Sequence, residues 1–139
     1  MKKAVIIYNS KTGITRKYAE EMHNYLKSKA IDLHISSIQD YKPELLVNVD
    51  YVLLGCWTSG LFVVMQHPQK EWNEFAATLP NLPNAKMVLF TTYKLLTGTM
   101  FKNMAKQLGG RYTISATEFK SRNGLLSEND KKSLDVLIS

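Results

Sequence analysis

The chain has 139 residues, 45% of them aliphatic or aromatic and 22% charged, a balance that excludes a disordered segment and suffices for one buried core. Its formal charge of +6 is spread evenly, with 9 Lys/Arg against 6 Asp/Glu over residues 1–70 and the same over residues 71–139, so no basic arm for nucleic acid stands out. A single cysteine, Cys56, excludes an internal disulfide, no Cys/His cluster has zinc-ligand spacing, and no segment approaches the roughly 20 apolar residues of a membrane span. The basic start Met1-Lys2-Lys3 leads into only five apolar residues, too few for a secretion signal, which predicts a cytoplasmic protein.

In chain order, "KAVIIYN" (Lys3–Asn9) is a continuous apolar run, as in a strand covered on both faces. After a turn, Tyr18, Met22, Tyr25 and Leu26 form an apolar stripe at helical spacing, opposite the i,i+4 pairs Arg16/Glu20 and Lys17/Glu21. "DLHISSI" (Asp32–Ile38) alternates, with Leu33 and Ile35 on one face, and reads as an edge strand. Pro43 to Val47 leaves room for one short helix, and "DYVLLGC" (Asp50–Cys56) is a second buried strand. Trp72, Phe75, Ala76 and Leu79 mark a helix opened by Pro68 and closed near Pro80, followed by the buried strand "KMVLFTT" (Lys86–Thr92). Phe101, Met104, Ala105 and Leu108 mark the next helix, ended by Gly109-Gly110. "RYTISATEF" (Arg111–Phe119) is mixed, as a second edge would be. A last helix starts at Ser127, with Asp130 at the capping-box distance, and buries Leu134, Leu137 and Ile138. Strands alternating with helices predict one α/β domain, residues 1–139, around a parallel sheet.

Ligands of such sheets bind beyond the carboxyl ends of the strands. Three loops lie there. The first, Ser10-Lys11-Thr12-Gly13-Ile14-Thr15, joins a strand to a helix, where unpaired amides and the helix dipole attract an anion. It admits two readings: a phosphate cradle, or an ordinary turn with Ser10 or Thr15 as N-cap. The second loop, residues 56–67, begins Cys56-Trp57-Thr58-Ser59-Gly60, and the third, residues 91–99, reads "TTYKLLTGT". Each sets an aromatic among small hydroxyls. Together they suit a flat aromatic ligand with a phosphate at the first loop and ring faces against Trp57 or Tyr93.

At these residues the chain resembles the flavodoxin family. "SKTGIT" matches the family's phosphate loop, S/T-x-T-G-x-T, and the order of strands and helices extends the resemblance over nearly the whole chain. The resemblance implies a flavodoxin-like three-layer sandwich with a five-stranded parallel sheet of order 2-1-3-4-5, and noncovalent flavin mononucleotide (FMN) as cofactor. The phosphate would be held by Ser10, Thr12, Thr15 and the amides from Lys11 to Thr15, which include Gly13 and Ile14. The second loop is similar to the family's G-C-S-T-W-G, but Trp57 stands two positions nearer the strand and Ser59 occupies the usual tryptophan position. Trp57 is thus either a ring-stacking residue or a core tryptophan at a strand end. Gly60 would be the residue whose peptide turns over to accept a hydrogen bond from reduced flavin. Cys56 reads as a small buried hydrophobe. In the third loop Tyr93 would cover a flavin face, with Thr91, Thr92 and Gly98 near the ring edge, and Lys94 stands where the family's electron carriers hold acids.

Catalytic constellations are thin. His67 is the one histidine near the proposed ligand, and there is no Ser/His/Asp grouping, HExxH or carboxylate pair in the loops. The expected function is electron transfer between a reductase and an acceptor enzyme, by a monomer whose redox partners carry acidic surfaces, without nucleic acid or membrane insertion. The alternatives are a flavin-dependent oxidoreductase of quinone reductase or protoporphyrinogen oxidase type, and a flavin-free binding module of the same fold.

Overall fold

The structure, a computed structural model, describes residues 1–59 and 66–139. Its elements in chain order are β1 (Lys2–Asn9), α1 (Ile14–Leu26), β2 (Ile31–Ser37), a 3₁₀ turn (Pro43–Leu46), β3 (Tyr51–Trp57), α2 (Lys70–Thr78), β4 (Lys86–Thr92), α3 (Met100–Gln107), β5 (Thr113–Ser121) and α4 (Glu128–Ile138). The five strands form one parallel sheet in the order β2-β1-β3-β4-β5. This is the three-layer α/β architecture expected from the sequence. The chain steps from β1 outward to β2 and then crosses back to β3, so the carboxyl ends of β1 and β3 flank the point where the winding reverses.

Alternation along the central strands sorts the core into two layers. Val5, Ile7, Val52, Leu54, Cys56, Met87 and Leu89 pack with Trp72, Phe75 and Ala76 of α2 and with Phe101 and Met104 of α3. Ala4, Ile6, Leu53, Val88 and Phe90 pack on the opposite face with Tyr18, Ala19, Met22 and Leu26 of α1 and Leu134 of α4. Gly55 lies in register with Tyr8 on one side and Phe90 on the other. A Cβ there would fall 2.1 Å from the Phe90 ring, so the missing side chain is the space the phenyl group occupies. Phe90 in turn meets Tyr18 edge to face at 6.0 Å.

Two polar devices fix the helices. Ser127 caps α4 through its Oγ, which accepts from the Asp130 amide, while the Asp130 carboxylate accepts from the Ser127 amide and from the Tyr18 hydroxyl at 2.8 Å. Burial and that carboxylate push the Tyr18 phenol well above its ordinary value. Across the sheet, the Arg111 guanidinium donates to the carbonyls of Leu79 and Ala76 at the end of α2, and the Tyr112 hydroxyl donates to Leu79 and Pro80. This pinning moves the last strand from the expected 111–119 to Thr113–Ser121. Its register with β4 jumps between Met87 and Leu89, leaving extra residues on β5 around Ser115–Thr117.

Candidate functional site

The turn from β1 into α1 is exposed at Lys11, Thr12 and Gly13. Gly13 is the N-cap of α1 with φ of 94°, a left-handed conformation that an L side chain adopts only under strain, and nothing lies within 4 Å of where its Cβ would be. Ser10 Oγ accepts from the amides of Gly13 at 3.1 Å and Arg16 at 3.2 Å and so braces the helix start from three residues upstream, but the N-cap position belongs to Gly13, not to the Ser10 or Thr15 that one reading of the sequence offered. Its hydroxyl proton stays available to a ligand. Among the described residues no acceptor meets the amides of Thr12, Ile14 or Thr15, and the first turn of α1 contains no acid. Thr15 turns inward. It is 1% exposed, and its hydroxyl shares a 2.7 Å hydrogen bond with the Thr92 hydroxyl beneath the turn.

The second loop leaves β3 at Trp57, and Ser59 pairs with His67 through two backbone bonds of 3.0 and 2.8 Å, which close its base. Gly60 lies outside the described residues. Trp57 is half-buried, with the Lys11 ammonium 5.5 Å from its ring centroid, so the strand-end tryptophan forms a floor under the first loop. Cys56 is fully buried and burial pushes its thiol well above the ordinary value. A chain of amides runs beside it. Gln39 Nε2 donates to Asn9 Oδ1, Asn9 Nδ2 donates to Gln69 Oε1, and Gln69 Nε2 donates to the Trp57 carbonyl and to Ser59 Oγ. These side chains, with Ser10, Lys11, Trp57 and the start of α2, line a cleft of about 480 Å³, a volume in the range of small-molecule sites.

The third loop is built differently. Thr91 Oγ1 donates to the Cys56 carbonyl at 2.6 Å and accepts from Thr58 Oγ1 at 2.9 Å. Thr99 Oγ1 and Asn103 Nδ2 both donate to the Gln66 carbonyl, at 2.9 and 2.7 Å. Gly98, at φ of 49°, fits against the Gln66 side chain, 2.1 Å from where a Cβ would sit. The hydroxyls of Thr91, Thr92 and Thr99 are thus committed to internal bonds. Tyr93 remains partly open, with the Arg122 guanidinium 5.4 Å over its ring, and Arg122 also donates to the Leu95 carbonyl. His67 is exposed, hydrogen-bonds the Pro68 carbonyl through Nδ1, and lines a smaller cleft with Thr99, Lys102 and Asn103.

The fold therefore brings Ser10, Lys11, Trp57 and Ser59 to one cleft and sets Tyr93 apart from its lining. Sequence reasoning passed over Asn9, Gln39 and Gln69, whose amides become a network only when β1, the end of β2 and α2 meet. It also passed over Arg122, which follows an edge strand and has no motif around it. The exposed turn, with three donor amides, two hydroxyls and a lysine and no carboxylate, fits a phosphate monoester.

A doubly wound parallel sheet with open backbone amides at its winding reversal is the architecture of α/β proteins that bind ligands beyond the carboxyl ends of their strands. The sequence matches the model of the flavodoxin domain over residues 5–110, and the chain belongs to that family. Its cofactor is accordingly FMN, and its general function is electron transfer. No curated protein matches the sequence. Among solved structures the chain is similar to the two-electron reduced flavodoxin of Megasphaera elsdenii, at 24% identity over 94% of each chain with a TM-score of 0.75. It is also similar to oxidised flavodoxin 2 of Bacillus cereus, at 18% identity over 97% of this chain and 94% of that one, TM-score 0.74. A segment of the rubredoxin:oxygen oxidoreductase of Desulfovibrio gigas aligns as well, at 17% identity over 97% of this chain and 34% of that one, TM-score 0.72.

Proposed function

We propose that this chain carries electrons between a reductase and an acceptor enzyme, with FMN held through its phosphate at the β1–α1 turn. The open amides of Thr12, Ile14 and Thr15 at an acid-free helix start carry this reading. Ser10 and Thr12 hydroxyls and the Lys11 ammonium complete the phosphate contacts. Trp57, Thr58, Ser59 and Gly60 border the flavin on the β3 side, and Tyr93 with Gly98 on the β4 side. Cys56, Thr15, Thr91 and Thr92 support these loops from below, through the bonds that fix their shape. When bound, FMN supplies the exchange of one or two electrons; the protein positions it and sets its electrostatic surroundings.

The carrier works as a monomer in the cytoplasm, in keeping with its lone buried thiol, and meets proteins with acidic faces. Among the described residues no helix is long and apolar enough to cross a membrane. The test is titration of the purified chain with FMN, followed by flavin fluorescence. Saturable quenching at one FMN per chain supports the reading, and free-flavin fluorescence throughout the titration removes it.

A further inference from the structure

Three of the exposed large apolar side chains sit at the carboxyl edge of the sheet: Ile14 at 38%, Leu95 at 62% and Leu125 at 50% exposure. Ile14 opens α1, whereas Leu95 and Leu125 lie in two loops, and the fold ties the three segments together. Arg122 donates to the Leu95 carbonyl and covers Tyr93, joining the third loop to the β5–α4 loop. Gly124 lies against the first turn of α1, close enough that a Cβ would stand 2.8 Å from the Ile14 carbonyl, and Leu125 follows it. Lys17 lies beside Gly124, Arg122 reaches the Leu95 carbonyl, and the exposed Lys94 precedes Leu95 in the chain. Residues 9–17, 91–99 and 121–127 contain no carboxylate at all.

The acids on the packed helices are each held by partners within the protein, Glu21 beside the corner itself. Glu20 pairs with Arg16 at 2.6 Å, Glu21 accepts from the Leu126 amide, and Asp130 accepts from Tyr18 and Ser127. The charges carried by the three segments themselves are thus all positive, beside three exposed apolar side chains, a composition that matches the apolar centre and charged rim of a protein interface. We infer that this corner, Ile14, Leu95 and Leu125 within Lys17, Lys94 and Arg122, docks an acidic redox protein. The inference rests on the electron-carrier reading. A positive rim attracts a negative face over roughly 8 Å at physiological salt, and the apolar centre supplies the short-range contact once the two have met.

Two measurements test it, one independent of flavin. In the first, a fluorescein-labelled peptide of Glu-Glu-Leu repeats binds the full chain, read by anisotropy. Lys17→Glu with Lys94→Glu weakens it at least about tenfold, and Leu95→Ser with Leu125→Ser weakens it about fivefold without altering the salt dependence. Equal binding by the charge-reversed variant overturns the inference, as does tighter binding of a single-stranded DNA of equal charge. In the second, the FMN-loaded, reduced chain is mixed with ferricyanide or with hexaamminecobalt(III), each taking up one electron. The ferricyanide rate falls with added salt and the cobalt rate rises, and both slopes reverse in the charge-reversed variant. Identical slopes for the two oxidants overturn the docking face while leaving the flavin in place; failure to load FMN removes the carrier reading and leaves the peptide measurement to decide.

Discussion

The turn after β1 and the loop after β4 have the same kind of composition, threonines and a glycine at the carboxyl end of a buried strand, yet they are opposites. In the first, the amides of Thr12, Ile14 and Thr15 meet no acceptor among the described residues, and the Ser10 side chain closes the turn. In the second, Thr91, Thr92 and Thr99 bond to Cys56, Thr15 and Gln66, so the loop is a brace between β3, α1 and the base of the second loop. A hydroxyl near a ligand loop serves binding only if no neighbouring backbone claims it first. The difference predicts that the first turn governs affinity and the third loop governs stability.

The largest effect should come from Thr12→Ala, which weakens FMN by about 1.5–3 kcal/mol, roughly 10- to 150-fold in Kd, with an unchanged urea midpoint. If the midpoint moves and affinity does not, the two regions are not opposites. Thr92→Val leaves the buried Thr15 hydroxyl without its partner and should cost about 1–3 kcal/mol of stability, read by denaturant unfolding. A loss of similar size is expected of Gly98→Ala, about 1–2 kcal/mol, from its positive φ and the crowding of Gln66, whereas the open Gly13→Ala should lose only backbone strain. Asn103→Ala removes one of the bonds to the Gln66 carbonyl and should cost about 1 kcal/mol.

The smallest effect lies away from both loops. Tyr25 donates to Asp135 and Lys29 stands beside it, which together hold that carboxyl below its ordinary 3.8. A depressed folded value stabilises fully above the unfolded one and is lost as pH falls through the folded value. Asp135→Asn should therefore lower the urea midpoint slightly at neutral pH and flatten its decline below about pH 4, so that the two proteins converge in acid.

By itself the sequence determined the alternating elements, the buried strands, the α4 capping box and the phosphate-loop pattern, because each depends on residues near one another in the chain. Periodicity placed Tyr18, Met22 and Leu26 on the face that α1 buries, and the apolar runs of β1, β3 and β4 announced a sheet covered on both sides. The tertiary structure alone decided which hydroxyls remain free. Thr15 meets Thr92 across 77 positions, and the amides of Asn9, Gln39 and Gln69 meet only when three elements converge. Arg122 over Tyr93 and the Gly55 space filled by Phe90 belong to the same class. A side chain's hydrogen-bond capacity is written in its residue type, but the partner that uses it is chosen by packing between strands distant in sequence.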